Sequence, residues 1–93
     1  MLKGLTLLDI SNNGLKGTIP EDLFIGLSNL QHLDLSGCNL SGTLSNNIGL
    51  LTQLRYLHLA DNIFHGTIPP SLGWLELAQL SLNGNPNPRK KDR

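Results

Sequence analysis

The sequence predicts an α/β solenoid: three coils of chain and a terminal stub, stacked so that each coil adds one strand to a short parallel sheet on the concave face. Three observations predict it. First, "LDISNNGLKGTIP" from Leu8, "LDLSGCNLSGTLS" from Leu33 and "LHLADNIFHGTIP" from Leu57 repeat one pattern. Second, the pairs Leu8/Ile10, Leu33/Leu35, Leu57/Leu59 and Leu80/Leu82 recur at steps of 25, 24 and 23 residues. That period is far longer than the strand period of about 2 or the helical period of about 3.6. Third, hydrophobic residues make up 39% of the chain but aromatics only 4%, so the core must be built mainly from Leu.

Each element follows from the repeat. The Leu-x-Leu pair reads as a strand, with its leucines inward and the intervening residues outward. Five residues after the first Leu come Asn13, Cys38, Asn62 and Asn85. An Asn at the buried end of a strand must satisfy its amide. Having donors and an acceptor, it can bond the backbone of its own and adjacent coils. Leu15, Leu40 and Phe64 follow, then Gly17, Gly42 and Gly66, where a glycine relieves crowding as the chain bends away. Ile19, Leu44 and Ile68 precede Pro20, Ser45 and Pro69, with the prolines opening the return segments. "PEDLFIGLSNL" and "PPSLGWLEL" suggest loose helical turns there, and Pro86 onward breaks the series.

The pattern L-x-x-L-x-L-x-x-N-x-L-x-G-x-I-P resembles the plant-specific class of leucine-rich repeat. "LTLLDISNNGLKGTIPEDLFIGLSNL" and "LRYLHLADNIFHGTIPPSLGWL" match nearly throughout, and "LQHLDLSGCNLSGTLSNNIGLLTQL" matches with Cys for Asn and Ser for Pro. The resemblance covers about residues 2–86. It implies a domain of the kind found in the ectodomains of receptor-like proteins and receptor-like kinases, and in polygalacturonase-inhibiting proteins. Such ectodomains usually carry many repeats between cysteine-paired caps, whereas neither cap is visible here. An uncapped solenoid exposes a Leu-lined face at each end. The chain is therefore expected to be a piece or a truncated relative of a larger solenoid. Residues 1–88 are expected to form the repeat domain, with repeats starting near Leu5, Leu30, Leu54 and Leu77, and 89–93 a basic tail.

Charge excludes several partner classes. The formal net charge is zero, so no overall field attracts nucleic acid. Without the last five residues, three basic residues face six acidic ones. No apolar run approaches the roughly 18 residues of a membrane span, and "MLKGLTLLDISNNG" lacks a signal peptide's order of charge, apolar stretch and cleavage site. The single cysteine, Cys38, cannot form an internal disulfide, and as a small buried hydrophobe it suits the Asn slot.

The resemblance implies protein or peptide binding on the concave sheet. Strand alternation names the columns: Thr6 and Leu7, Gln31 and His32, Arg55 and Tyr56, Ala78 and Gln79; then Asp9, Asp34, His58 and Ser81; then Ser11, Ser36, Ala60 and Asn83. The expected contact residues are His32, Arg55, Tyr56 and His58, joined by Asp34 and Gln31. His and Tyr combine apolar bodies with polar tips, and Arg55 offers a planar fork for a carboxylate. Asp34 and His58 are cross-strand neighbours, but no nucleophile lies beside them, and Ser11 or Ser36 would lie flat on an open sheet without oxyanion donors. His32 and His58 fall in different columns, and no further ligand completes a metal site. Trp74, beside Leu72 and Leu75, is expected to pack over the end of the stack.

Asn39-Leu40-Ser41 is an N-glycosylation sequon, with Asn39 expected to point outward. The functional expectation is a non-enzymatic binding module, without cofactor or metal. Its parent would be a plant cell-surface receptor acting in signal perception at the extracellular face of the plasma membrane, with a protein or peptide ligand and a co-receptor as partners. Nucleic acid is not expected as a partner, nor membrane insertion by this segment itself. The alternatives are an intracellular repeat scaffold, suggested by the missing signal peptide and caps, and a secreted polygalacturonase inhibitor.

Overall fold

The computed structural model describes residues 4–89. In chain order the elements are β1 (Leu7–Asp9), α1 (Glu21–Gly26), β2 (His32–Asp34), β3 (Ser41–Gly42), a first 3-10 turn (Asn46–Leu50), β4 (Tyr56–His58), β5 (Ile63–Thr67), a second 3-10 turn (Pro70–Trp74), β6 (Gln79–Ser81) and β7 (Asn87–Arg89). The four Leu-x-Leu segments form one parallel sheet in the order β1-β2-β4-β6. Its register is the one the repeat dictates: Leu8 opposite Leu33, Leu33 opposite Leu57, Leu57 opposite Leu80.

Backbone bonds repeat from coil to coil. The Ile10 amide donates to the Asp34 carbonyl at 3.1 Å, Leu35 to His58 at 2.9 Å and Leu59 to Ser81 at 2.8 Å. The core is leucine, as composition requires, with Phe24 and Phe64 as its two large fillers. Leu33 and Leu57 are fully buried between neighbours, whereas Leu80, on the edge strand, is 44% exposed. Fully burying a Leu side chain is worth about 1.5–3 kcal/mol, so the inner coils carry most of the stabilisation. The outer face of the first coil is an open apolar groove of about 300 Å³ lined by Ile10, Leu15, Ile19, Leu23, Leu35 and Leu40. Ile10, Leu15, Ile19 and Leu23 occupy the slots in which the second coil buries Leu35, Leu40, Leu44 and Ile48.

The Asn ladder is present, with unequal reach. Asn62, 3% exposed, accepts the Cys38 and Leu40 amides of the preceding coil at 2.9 and 3.0 Å and donates to the Leu35 carbonyl at 2.9 Å. It also donates to Leu59 and Ala60 of its own coil. Asn85 likewise bridges, to Phe64 and Leu59 of the preceding coil and to Leu82 of its own. Asn13, expected to be buried, is exposed and bonds only the Ile10 and Ser11 carbonyls of its own coil. No coil precedes it among the described residues.

Three features differ from the sequence expectation. The glycine bend is more than a bend: β3, β5 and β7 form a second parallel sheet, order β3-β5-β7. Gly42 and Gly66 hold φ of +86°, which lets the chain turn while pairing sideways. A Cβ on Gly66 would stand 2.9 Å from Thr43 Cγ2. Asn87–Arg89 continue this sheet beside β5, so pairing runs past the point where the sequence series breaks. Arg89 closes β7; residues 90–93 of the expected basic tail lie outside the described residues. Trp74 does not cover the end of the stack. It is 70% exposed and leans back toward Gly49 of the previous coil, where a Cβ would meet its ring at 3.0 Å.

The return segments begin as the sequence implies. Pro20 and Pro69 stand at the N-caps of α1 and the second 3-10 turn. Ser45 fills the proline slot by chemistry instead: its hydroxyl accepts the Asn47 amide at 2.9 Å. A polar ladder on this side, absent from the sequence reading, ties the coils together. Glu21 accepts from the Ser45 hydroxyl at 2.8 Å and the Asn47 carboxamide at 2.9 Å. The fully buried Ser71 donates its hydroxyl proton to the Asn46 carbonyl at 2.6 Å.

Candidate concave-face recognition surface

Parallel register places the outward residues in columns. Leu7, His32, Tyr56 and Gln79 form one, and Asp9, Asp34, His58 and Ser81 the next. Neighbouring parallel strands lie about 4.8 Å apart, so side chains in a column stand within reach of one another. The His32 and Tyr56 rings have centroids 5.5 Å apart and tilt by 37°. The His32 and His58 rings are also 5.5 Å apart, at 40°. The two imidazoles are thus diagonal neighbours despite lying in different columns, a contact the column reading did not foresee. Diagonal neighbours within reach of rings are a general property of paired strands.

The structure gathers His32, Tyr56 and His58 into one continuous cluster. Tyr56 is 38% exposed, while His32 and His58 are half-buried. Arg55 and Gln31 are exposed on the adjoining positions. Their backbone is fixed by the ladder, with the Arg55 amide donating to the Gln31 carbonyl at 2.8 Å. Ala60, counted among the outward residues, is buried at 8% exposure because its short side chain does not reach past its neighbours.

The aspartates are oriented by local turns. The Asp34 carboxylate accepts the Ser36 amide at 3.0 Å. That of Asp9 accepts the Ser11 hydroxyl at 2.7 Å and the Ser11 amide at 3.1 Å. The hydroxyl first, then the amide, hold the Asp9 carboxyl below the usual carboxylate value; desolvation opposes them, and the charges of His32 and His58 add the smallest help. The face therefore presents a fixed anionic edge beside a row of rings. Among the described residues, no group of three or more His, Cys, Asp or Glu is placed to hold a metal ion, and no helix is long and apolar enough to cross a membrane.

Comparison with known proteins agrees with this architecture. The leucine rich repeat family matches residues 1–40 and again residues 53–75. Receptor-like protein 39 of Arabidopsis thaliana is 39% identical over 84 residues, which is 87% of this chain and 10% of that protein. The solved plant peptide hormone receptor RGFR1, in complex with RGF2, superposes with a TM-score of 0.88 at 43% identity, over 94% of this chain and 14% of that one. A chain of the BIR3–SERK2 complex from Arabidopsis thaliana gives a TM-score of 0.85 at 40% identity, over 89% of this chain and 45% of its own. This chain thus spans about a tenth of the length of the curated relative. Repeat spacing, asparagine ladder, parallel concave sheet and these likenesses agree: the chain belongs to the leucine-rich-repeat family, in the form carried by plant receptor-like proteins and receptor kinases.

Proposed function

We propose that the concave sheet is a protein- or peptide-recognition surface, and that the chain is a segment of a plant cell-surface receptor ectodomain working in signal perception. One observation carries the reading: His32, Tyr56 and His58 form a continuous ring cluster at 5.5 Å spacings on a rigid strand platform. Arg55, Gln31 and Asp34 flank it. A pre-ordered platform loses little entropy when a partner lands, which suits recognition of short extended segments. Aromatic and arginine side chains are also those that most often anchor interfaces.

The likeness to a peptide hormone receptor solved in complex with RGF2 supports this reading, and the likeness to a chain of the BIR3–SERK2 complex supports a second protein, proposed to be a co-receptor, as a further partner. The proposed role is binding without catalysis, at the extracellular face of the plasma membrane. The test is an Arg55→Ala, Tyr56→Ala double variant in the parent ectodomain, screened against a library of extracellular peptides. Binding of any captured peptide should weaken by at least about tenfold, equivalent to about 1.4 kcal/mol, with unchanged circular dichroism. Unchanged affinity would remove the patch from the binding surface.

A further inference from the structure

The Asn39-Leu40-Ser41 sequon lies at the corner where the chain leaves the concave sheet and enters the second sheet. Cys38 is fully buried and Leu40 is 3% exposed, so the two residues flanking Asn39 are anchored in the core. Asn39 itself is exposed, with φ of +62°. This alternation of in, out and in fixes the direction of its side chain. Asn13, Asn46, Asn62 and Asn85 all use their side-chain amides in hydrogen bonds. No hydrogen bond among the described residues uses that of Asn39.

The corner is held from both sides. The Cys38 carbonyl accepts the Lys16 amide at 3.0 Å, and the Leu40 carbonyl accepts the Ile63 amide at 2.8 Å. Ile63 of the third coil, 47% exposed, pairs with Ser41, two residues beyond Asn39. It is a large apolar side chain left about half open to solvent beside the sequon. The ring cluster belongs to the other sheet, so a bulky group on Asn39 would not obstruct it.

We propose that Asn39 is an N-glycan acceptor and that the first sugars lie over Ile63, giving the coil corner a hydrophilic cover while leaving the concave sheet open. The modification requires passage through the secretory pathway and so rests on the receptor reading. In the transfer, the Asn39 side-chain nitrogen bonds the anomeric carbon of an oligosaccharide carried on a polyprenyl pyrophosphate. The carbon–oxygen bond to pyrophosphate breaks, the pyrophosphate leaves with the electron pair, and one amide proton is released.

The test is expression of the full chain in plant cells, with and without a cleavable secretion leader, followed by intact mass before and after treatment with a peptide:N-glycosidase. The secreted chain should carry one glycan, and enzymatic release should leave Asp at position 39. Asn39→Gln and, independently, Ser41→Ala should abolish the added mass; the second leaves the left-handed Asn39 in place, so a folding defect in the first would not confuse the result. A bare secreted chain would overturn the proposal. Because the leader forces entry, that failure is separate from loss of peptide binding at Tyr56. Deglycosylated protein should take up more of an apolar fluorescent dye, and Ile63→Ser should cancel the increase. Equal dye uptake before and after removal would overturn the placement over Ile63.

Discussion

Asn62 accepts the backbone amide of Cys38 across the coil boundary at 2.9 Å, while the side chain of Cys38, in the same slot of its own coil, offers the preceding coil only a thiol donated to the Ile10 carbonyl at 3.1 Å. A thiol lacks the carboxamide's acceptor, so the Leu15 amide folds back onto the Asn13 carbonyl at 2.9 Å instead. Cys38→Asn should restore the full bridge between the first two coils. Its carboxamide nitrogen would replace the thiol on Ile10, and its oxygen would serve Asn13 and Leu15. The expected gain is about 1 kcal/mol, from net hydrogen-bond values of 0.5–1.5, which corresponds to a rise of about 4–8 °C in Tm for a domain of this size. Differential scanning calorimetry on the two proteins decides it, and a fall in Tm would mean that the slot is too small for a carboxamide.

The same ladder predicts unequal penalties. Asn62→Leu leaves the Cys38 and Leu40 amides and the Leu35 carbonyl without partners in a buried site. At about 1–3 kcal/mol for each buried unsatisfied group, a loss above about 3 kcal/mol is expected. Asn13→Ala removes bonds within one exposed turn and should cost less than about 1 kcal/mol. Urea midpoints for the two variants should therefore fall far apart.

Gly66→Ala should be destabilising for two separable reasons. The residue holds φ of +86°, and the new methyl would approach Thr43 Cγ2 at 2.9 Å. Left-handed backbone costs a residue with a side chain about 1–2 kcal/mol. Thr43→Ser in the same protein removes the facing methyl, so it should recover the steric part and leave the backbone part. A full recovery in chemical denaturation would show that the conformation itself is not strained.

The Asp9 carboxyl should titrate below 3.8 in the folded chain, because the Ser11 hydroxyl and amide favour its charged form. A depressed folded value means that the native state releases its proton first. The stabilisation is then complete above the unfolded value of about 3.9 and is lost as pH falls through the folded one. Carboxyl-carbon NMR titration should show the low midpoint, and Ser11→Ala should raise it. A midpoint unmoved by that substitution would shift the cause to the neighbouring imidazoles.

Much of this fold was legible because the repeat counts residues. The steps between Leu8, Leu33, Leu57 and Leu80 fixed the register, and with it the columns holding His32, Tyr56 and His58. The bridging role of Asn62 and Asn85 followed from their slot and their chemistry. The second sheet was not legible, because β3 is only two residues long, β3 and β5 run through left-handed glycines, and β7 lies past the point where the repeat breaks. Nor was the diagonal contact of His32 with His58, which depends on ring orientation rather than column. The Asn46–Ser71 link escaped because it joins return segments of different sequence, although the serine in the proline slot at 45 was a visible sign that polar groups had taken over there. Trp74 was misplaced by assuming that a large ring must be covered.

The return segments differ in kind: α1 has 6 residues, and the two 3-10 turns have 5 each. At a rise of about 1.5 Å per residue for the first and about 2.0 Å for the others, they span nearly the same length, roughly 9 and 10 Å. The convex side can thus absorb the insertion or loss of a residue by changing helix type, while the strands on the opposite side keep their pairing. Coil length and the concave columns can vary independently, so a solenoid of this build can lengthen or shorten a repeat without moving the side chains on its concave sheet.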